Sequence, residues 1–361
     1  MATDYRPPAG TDLIKLDGAR MIADGIAYTD FATAGERVRA GDSWYEVWAG
    51  NGRRYEELGQ AAIDEGHTTT GARWLWTGCM NYHYAQFLWF HEPERREEGQ
   101  RRKVDLYRRA ADHLLPPSER VEIAVGEVTI PAYLRLPADA PGDGGPLPCV
   151  LLIGGLESTK EESYLFENMC IERGLATFAF DGPGQGEMFF ELGLQPDFER
   201  YSSACVDYLE TRPEVDPQRI GVLGRSLGGY YAVRAAAREP RLKACVSWGA
   251  CYHLADIDDY PPATREGFLY VTGLEDRDAA RRQLDAIDLG DVIGDLTQPT
   301  YVLHGALDEI FSMRHVELLR EGARNAPLEI VVEEHGNHCG HNLAHIVRPR
   351  MADWLADQLS S

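Results

Sequence analysis

Lysine is scarce in this chain: only four of its 36 basic residues are lysine, a trait of codon usage rather than of function. Basic residues as a whole are outnumbered by 58 acidic ones, for a formal net charge of -22. A surface of that sign repels phosphates, which excludes nucleic acid and anionic membrane surfaces as partners. No stretch approaches the ~18 apolar residues of a membrane span. Met1 to Gly10 has no apolar run to serve as a signal peptide. The seven cysteines are an odd number and include no CxxC pair. Cys149 and Cys245 sit in apolar runs, where a thiol behaves as a small buried hydrophobe. A reducing, cytoplasmic setting without structural disulfides is therefore expected. What is present suffices for a real core: 361 residues, 44% of them apolar and 10% aromatic. That length fits one large domain or two smaller ones.

The pattern changes near residue 118. Before it the periodicity is helical. Trp44, Val47 and Trp48 share a face, as do Tyr55, Leu58 and Ala62, and then Trp76, Met80, His83 and Phe87. Residues 36–115 read as three or four packed helices, the last ending at Pro116-Pro117. After Pro117 the period shortens. Val121–Val125 and Val128–Leu136 read as an edge hairpin, followed by a Pro/Gly-rich loop at Ala140–Pro148. Strands are expected at Pro148–Ile153, Ala176–Phe180, Ile220–Leu223, Ala244–Trp248, Thr300–Leu303 and Glu329–Val332. Helices fill the gaps at Lys160–Arg173, Phe198–Thr211, Leu227–Arg238, Ser312–Gly322 and Arg350–Leu359. Such alternation predicts an α/β fold: a mostly parallel sheet of about eight strands with helices on both faces. Residues 251–293 are too long for one crossover and read as an inserted lid. The expected domains are 1–118, helical, and 119–361, catalytic.

The chemistry centres on Gly224-Arg225-Ser226-Leu227-Gly228-Gly229. A serine between two glycines, after a strand and before a helix, is the sequence form of a nucleophile elbow. The turn is so tight that Gly224 and Gly228 must be small. A serine hydroxyl needs a base, and the base needs a carboxylate to orient it. In a sheet of this kind they follow in the order Ser, Asp, His. Asp308 lies just past the seventh strand and His338 just past the eighth. The competing reading of Asp308 is a helix cap. His335, nearer the strand end, and His341, deeper in the loop, compete with His338. His304 reads as a packing residue. His335, His338, Cys339, His341 and His345 lack a second ligand group of known metal-site spacing, so neither a metal nor a cofactor is expected. The oxyanion formed on attack needs two N–H donors. Leu227, after the serine, is one; Leu156, after Gly154-Gly155, is the other.

Four segments carry a family resemblance. They are Gly154-Gly155-Leu156-Glu157-Ser158-Thr159-Lys160, Phe180-Asp181-Gly182-Pro183-Gly184-Gln185-Gly186-Glu187-Met188, Gly224–Gly229, and His338-Cys339-Gly340-His341-Asn342. Together with Tyr84-Ala85-Gln86-Phe87-Leu88-Trp89-Phe90 in the helical part, they resemble the 2,6-dihydroxypseudooxynicotine hydrolase branch of the α/β-hydrolases. The resemblance implies an α/β-hydrolase core capped by the N-terminal helical domain. It places serine, aspartate and histidine on Ser226, Asp308 and His338. It also implies hydrolysis of a carbon–carbon bond between a carbonyl and an electron-rich hydroxylated ring. The expected substrate is a small β-dicarbonyl or acylated hydroxy-ring compound. Ester hydrolysis or acetate elimination in polyketide or tetronate biosynthesis is the alternative. A non-catalytic binding or regulatory protein is the alternative of another class. The candidate assembly is a homodimer. Candidate substrate contacts are Glu157 beside the oxyanion loop, Tyr82 and Trp89 in the helical part and Asp256 in the lid, with helix–helix core and solvated loop as competing readings. Glu157 and Lys160 are also candidates for an ion pair bracing the oxyanion loop.

Overall fold

The computed structural model describes residues 18–138, 145–249 and 251–360. The expected Pro/Gly-rich loop lies mostly, and Met1 to Gly10 wholly, outside them. The chain divides into two compact units, Met1–Arg120 and Val121–Ser361.

The first unit is helical. Four long helices follow one another: α1 (Tyr28–Arg39), α2 (Trp44–Asp64), α3 (Thr68–Gln86) and α4 (Pro93–Ala111). Proline begins α4, where its missing N–H costs nothing. The expected faces are the buried ones: Trp44, Val47, Trp48, Ala62, Trp76, Met80, His83 and Phe87 are all buried, while Tyr55 and Leu58 are half-buried. Helices α2 and α3 meet at glycines. A Cβ on Gly71 would lie 2.7 Å from the Gly59 carbonyl oxygen, and one on Gly78 would lie 3.1 Å from that of Gly52. Backbone therefore faces backbone at two levels along the pair.

The second unit is built on one eight-stranded sheet of order β1-β2-β4-β3-β5-β6-β7-β8. Its strands are β1 (Glu119–Val125), β2 (Val128–Arg135), β3 (Leu147–Ile153), β4 (Ala176–Phe180), β5 (Val215–Arg225), β6 (Leu242–Trp248), β7 (Thr300–Gly305) and β8 (Leu328–Glu333). Strand β2 runs antiparallel to β4, and from β4 to β8 the sheet is parallel. Strands β3 and β4 are buried at every position, as expected of central strands covered on both faces. Alternation then sorts the residues. Cys149, Leu151 and Ile153 join one core with Cys205, Val206 and Leu209 of α6 (Glu199–Glu210) and with Ala232 and Val233 of α7 (Leu227–Arg238). Val150 and Leu152 join another with Phe166 of α5 (Tyr164–Ile171) and Met351 and Leu355 of the C-terminal helix (Ala344–Leu359).

Three boundaries differ from expectation. Strand β5 begins at Val215 rather than Ile220, and the segment from Lys160 opens as a 3-10 turn before α5. The C-terminal helix begins at Ala344 and runs through Pro349. Proline usually argues for a helix start, but here it sits early in the helix, and packing of Val347 and Met351 outweighs the lost bond. The expected lid holds two helices, α8 (Pro262–Val271) and α9 (Arg277–Asp285). Asp276 caps α9 by accepting from the N–H groups of Asp278 and Ala279. The segment is tied to the loop after β4: Leu194 N–H donates to the Val271 carbonyl at 2.8 Å, and Phe189 stacks on Tyr270. Helix α10 (Met313–Gly322) follows β7. No helix among the described residues is long and apolar enough to cross a membrane.

The glycine seam sets a test in which two chemically identical changes have opposite signs. Gly→Ala in an exposed helix interior normally stabilises by about 1 kcal/mol. At Gly50, where the nearest atom to an added Cβ is an Arg53 nitrogen at 3.8 Å, thermal melting of Gly50→Ala should show that gain. Gly71→Ala drives a Cβ into the Gly59 oxygen and into Ile63, so its melting temperature should fall, the overpacking costing about 1–3 kcal/mol.

Candidate active site

The loops leaving the carboxyl ends of β3, β5, β7 and β8 converge, as parallel sheets of this kind arrange their ligand sites. Ser226 sits between β5 and α7 with φ 58° and ψ -123°. That backbone is strained for a residue with a side chain. It is held on both sides: Ser226 N–H donates to the Trp248 carbonyl and its own carbonyl accepts from Gly229 N–H, each at 2.7 Å. The flanking glycines show why they are needed. A Cβ on Gly224 would stand 1.7 Å from the Gly228 oxygen, and one on Gly228 2.5 Å from the carbonyl oxygens of Ile153 and Gly154.

A hydrogen-bonded chain runs from the serine. Ser226 Oγ is 2.8 Å from His338 Nε2, and His338 Nδ1 is 2.7 Å from Asp308 Oδ2. The geometry suits one tautomer: Nδ1–H donates to the carboxylate, and the Nε2 lone pair accepts the serine proton. The Asp308 side chain is 1% exposed and that of His338 19%. Asp308 serves two sets of partners at once. Its Oδ1 accepts from the N–H groups of Ile310 and Phe311 at 2.8 and 2.9 Å, as a turn-capping aspartate does, while Oδ2 serves the histidine. Burial disfavours the Asp308 charge, but His338, His304 and the Phe311 N–H outweigh it and hold the carboxyl below its usual range. Burial likewise opposes charge on His338. The Asp308 carboxylate and the Cys339 side chain win, and the imidazole lies well above its ordinary 6.5.

Sequence reasoning missed several neighbours. Cys339 has φ 57° and places Sγ 3.5 Å from His338 Nε2. The Trp248 indole N–H donates to the Cys339 carbonyl at 2.5 Å. Phe311 meets the His338 ring edge-on, with ring centres 5.4 Å apart. Arg225 is buried, pairs with Glu162 at 2.5 Å and donates to Ser158 Oγ at 2.8 Å. The GxSxG pattern gives the position before the serine no role, which is why Arg225 drew no attention.

The remaining candidates fall in different surroundings. Leu227 is the first residue of α7, where backbone N–H groups lack helical partners. Leu156 follows Gly155, whose Cβ would lie 3.5 Å from Ser226 Oγ. Glu157 is 8% exposed. The ion pairs of Lys160 run to Asp181, Glu161 and Glu187, at 2.7, 2.7 and 2.5 Å, and these brace the loop. Those three carboxylates are the one metal-like cluster among the described residues, and the Lys160 ammonium bonds to each. Asp256 accepts from Tyr260 OH at 2.7 Å and lies 3.2 Å from His315 Nε2. Burial opposes its charge, yet those bonds bring its pKa down to about 2. His304 is fully buried, as a packing residue would be. Tyr82 packs on Gly52 across the α2–α3 seam, and Trp89 donates its indole N–H to Glu92 at 2.8 Å.

Known proteins share this arrangement of chain. The family model described as Esterase FrsA-like matches residues 30–261, and that of the dienelactone hydrolase family matches residues 185–345. The 2,6-dihydropseudooxynicotine hydrolase of Paenarthrobacter nicotinovorans is 43% identical over 95% of this chain and 92% of its own. The crystal structure of 2,6-dihydroxy-pseudo-oxynicotine hydrolase superposes with a TM-score of 0.88 at 43% identity, covering 95% of each chain. The 20-hydroxy-prefusarin hydrolase of Gibberella moniliformis is 35% identical over 64% of this chain and 58% of its own.

The site's electrostatics predict a titration. Followed by ¹⁵N NMR, the His338 ring should take up its proton with a midpoint above 6.5, remaining charged over a pH range where a free imidazole is neutral. In Asp308→Asn the midpoint should drop, because a major counter-charge is gone. An unchanged midpoint would show that Asp308 does not set it.

Proposed function

This chain is an α/β-hydrolase of the Esterase FrsA-like family, and from that premise we propose that Ser226, His338 and Asp308 form a catalytic triad that hydrolyses a carbon–carbon bond next to a carbonyl in a small metabolite. The observation that carries the reading is the continuous bond chain Ser226 Oγ, His338, Asp308, at 2.8 and 2.7 Å, on a strained elbow. Ser226 Oγ attacks the carbonyl carbon as His338 Nε2 takes its proton. The carbonyl oxygen becomes an alkoxide and is met by the N–H groups of Leu156 and Leu227, the second reinforced by the positive end of α7. Collapse of the adduct expels carbon with its bonding electrons. That step requires a leaving group whose charge spreads into an enolate or a hydroxylated ring. Protonated His338 returns its proton to that carbon. Water, activated by the same imidazole, then releases the acyl group as a carboxylic acid and regenerates Ser226.

The substrate is thus a β-dicarbonyl or an acylated hydroxy-ring compound. The name of the 43%-identical relative, a hydrolase of a pseudooxynicotine, supports this class. A reducing, cytoplasmic setting is part of the reading and is supported by seven buried, unbridged thiols.

Three measurements test it. A fluorophosphonate probe should label Ser226 in folded protein; no labelling would favour a binding role instead. Ser226→Ala should lower kcat by about 10⁴-fold or more on an acylated dihydroxy-ring substrate. Retained turnover would instead mean that His338 acts alone as the base of an elimination. The dependence of kcat/KM on pH should rise through a midpoint above 6.5, because only the neutral imidazole accepts the serine proton and its pKa is raised.

A further inference from the structure

The segment Asp181–Glu187 is among the most distinctive in the chain, yet the mechanism above uses none of it. Its geometry points toward the oxyanion loop. Gln185 is 3% exposed, and its side-chain amide is fully engaged. Oε1 accepts from Gly182 N–H at 3.0 Å, while Nε2 donates to the carbonyl oxygens of Gly154 at 2.6 Å and Gly155 at 3.2 Å. This pattern also fixes which end of the amide is nitrogen, since both carbonyls need a donor.

We infer that Gln185 is a positioning residue that aims the Leu156 N–H at the developing oxyanion. The inference rests on the proposed role of Leu156. The Gly155 carbonyl and the Leu156 N–H belong to one peptide unit. In a planar trans peptide these two groups point in opposite directions. Fixing the oxygen on the Gln185 side therefore turns the N–H to the other side. Ser226 is close at hand, since a Cβ on Gly155 would stand 3.0 Å from Ser226 Cβ. Gln185 thus sets the orientation of the donor without touching substrate.

The rest of the segment holds Gln185 in place. Gly186 has φ 44°, and a Cβ there would lie 2.0 Å from Asp181 Oδ2, so the turn wraps directly onto that carboxylate. Asp181 accepts from Lys160 Nζ at 2.7 Å, Lys160 N–H at 2.8 Å and Glu187 N–H at 3.1 Å. Lys160 closes the far end of the oxyanion loop. The loop after β4 therefore grips the loop after β3 at both ends, Gln185 at Gly154-Gly155 and Asp181 at Lys160.

The test uses Gln185→Ala and Gln185→Glu, the second keeping the shape while replacing the donor with an acceptor. Fluorophosphonate labelling of Ser226 should slow by 10- to 100-fold in both at neutral pH. With p-nitrophenyl acetate as substrate, kcat should fall by a similar factor while KM stays within twofold. The ratio of Q185E to wild-type labelling should rise as pH falls, because a protonated carboxyl regains one donor. Thermal melts establish that each variant is folded. A ¹³C-labelled trifluoromethyl ketone, bound to wild-type protein, separates the two ideas. An adduct that is not ionised at neutral pH would remove the oxyanion-hole reading and this inference with it. An ionised wild-type adduct, with folded variants that label and turn over at wild-type rates, would overturn the role of Gln185 alone. A rise in KM with kcat unchanged would do the same, by making Gln185 a ground-state substrate contact.

Discussion

Close approach of helix α7 to strands β5 and β3 is the constraint on which the site depends. At Gly224 and Gly228 there is room for a hydrogen and nothing larger. Because the helix begins so near the strand, Ser226 is forced to positive φ and its side chain stands clear of both elements. The same approach brings the first turn of α7 against the carbonyls of Ile153 and Gly154, so Ser226 and the Gly154-Gly155 loop are placed by one contact. Evolution has little freedom here. A side chain at Gly224 would part β5 from α7, and one at Gly228 would part α7 from the end of β3.

The histidine and aspartate are held by shared groups rather than by dedicated supports. Asp308 divides its two oxygens between a backbone turn and an imidazole, so the turn that shapes the loop also orients the carboxylate. Phe311, donor of one of those N–H groups, lies against His338 and also against Tyr260 and His315. Tyr260 and His315 both bond to Asp256. A ring-to-ring path thus joins the inserted segment to His338. Movement of that segment has a physical route to the imidazole.

Much of this was legible in the sequence, for reasons that can be named. Strand β3 announced itself by the apolar run Cys149–Ile153, β4 by a run broken only at Thr177, and α7 by alanines behind GxSxG. The convergence of Ser226, Asp308 and His338 followed from the order of the strands that carry them. What stayed hidden depends on contacts between residues far apart in the chain. Arg225 meets Ser158 across 67 positions and Gln185 meets Gly154 across 31, and no periodicity records either. Lys160 lies close to Gly154-Gly155 in sequence, but two of its three carboxylate partners, Asp181 and Glu187, lie on a different loop. The last helix, expected from Arg350, starts six residues earlier for the opposite reason: tertiary packing outweighs the local rule against proline inside a helix at Pro349.

A helix pair whose backbones touch at two levels behaves like a toothed rack. Gly52 and Gly59 on α2 oppose Gly78 and Gly71 on α3. Sliding one helix by a residue would bring Arg53 or Gln60 to the points of contact, where no side chain fits. Rolling it would do the same. Only one meshing is allowed, so the helical unit has a defined register even though its outer faces are densely charged and would tolerate many.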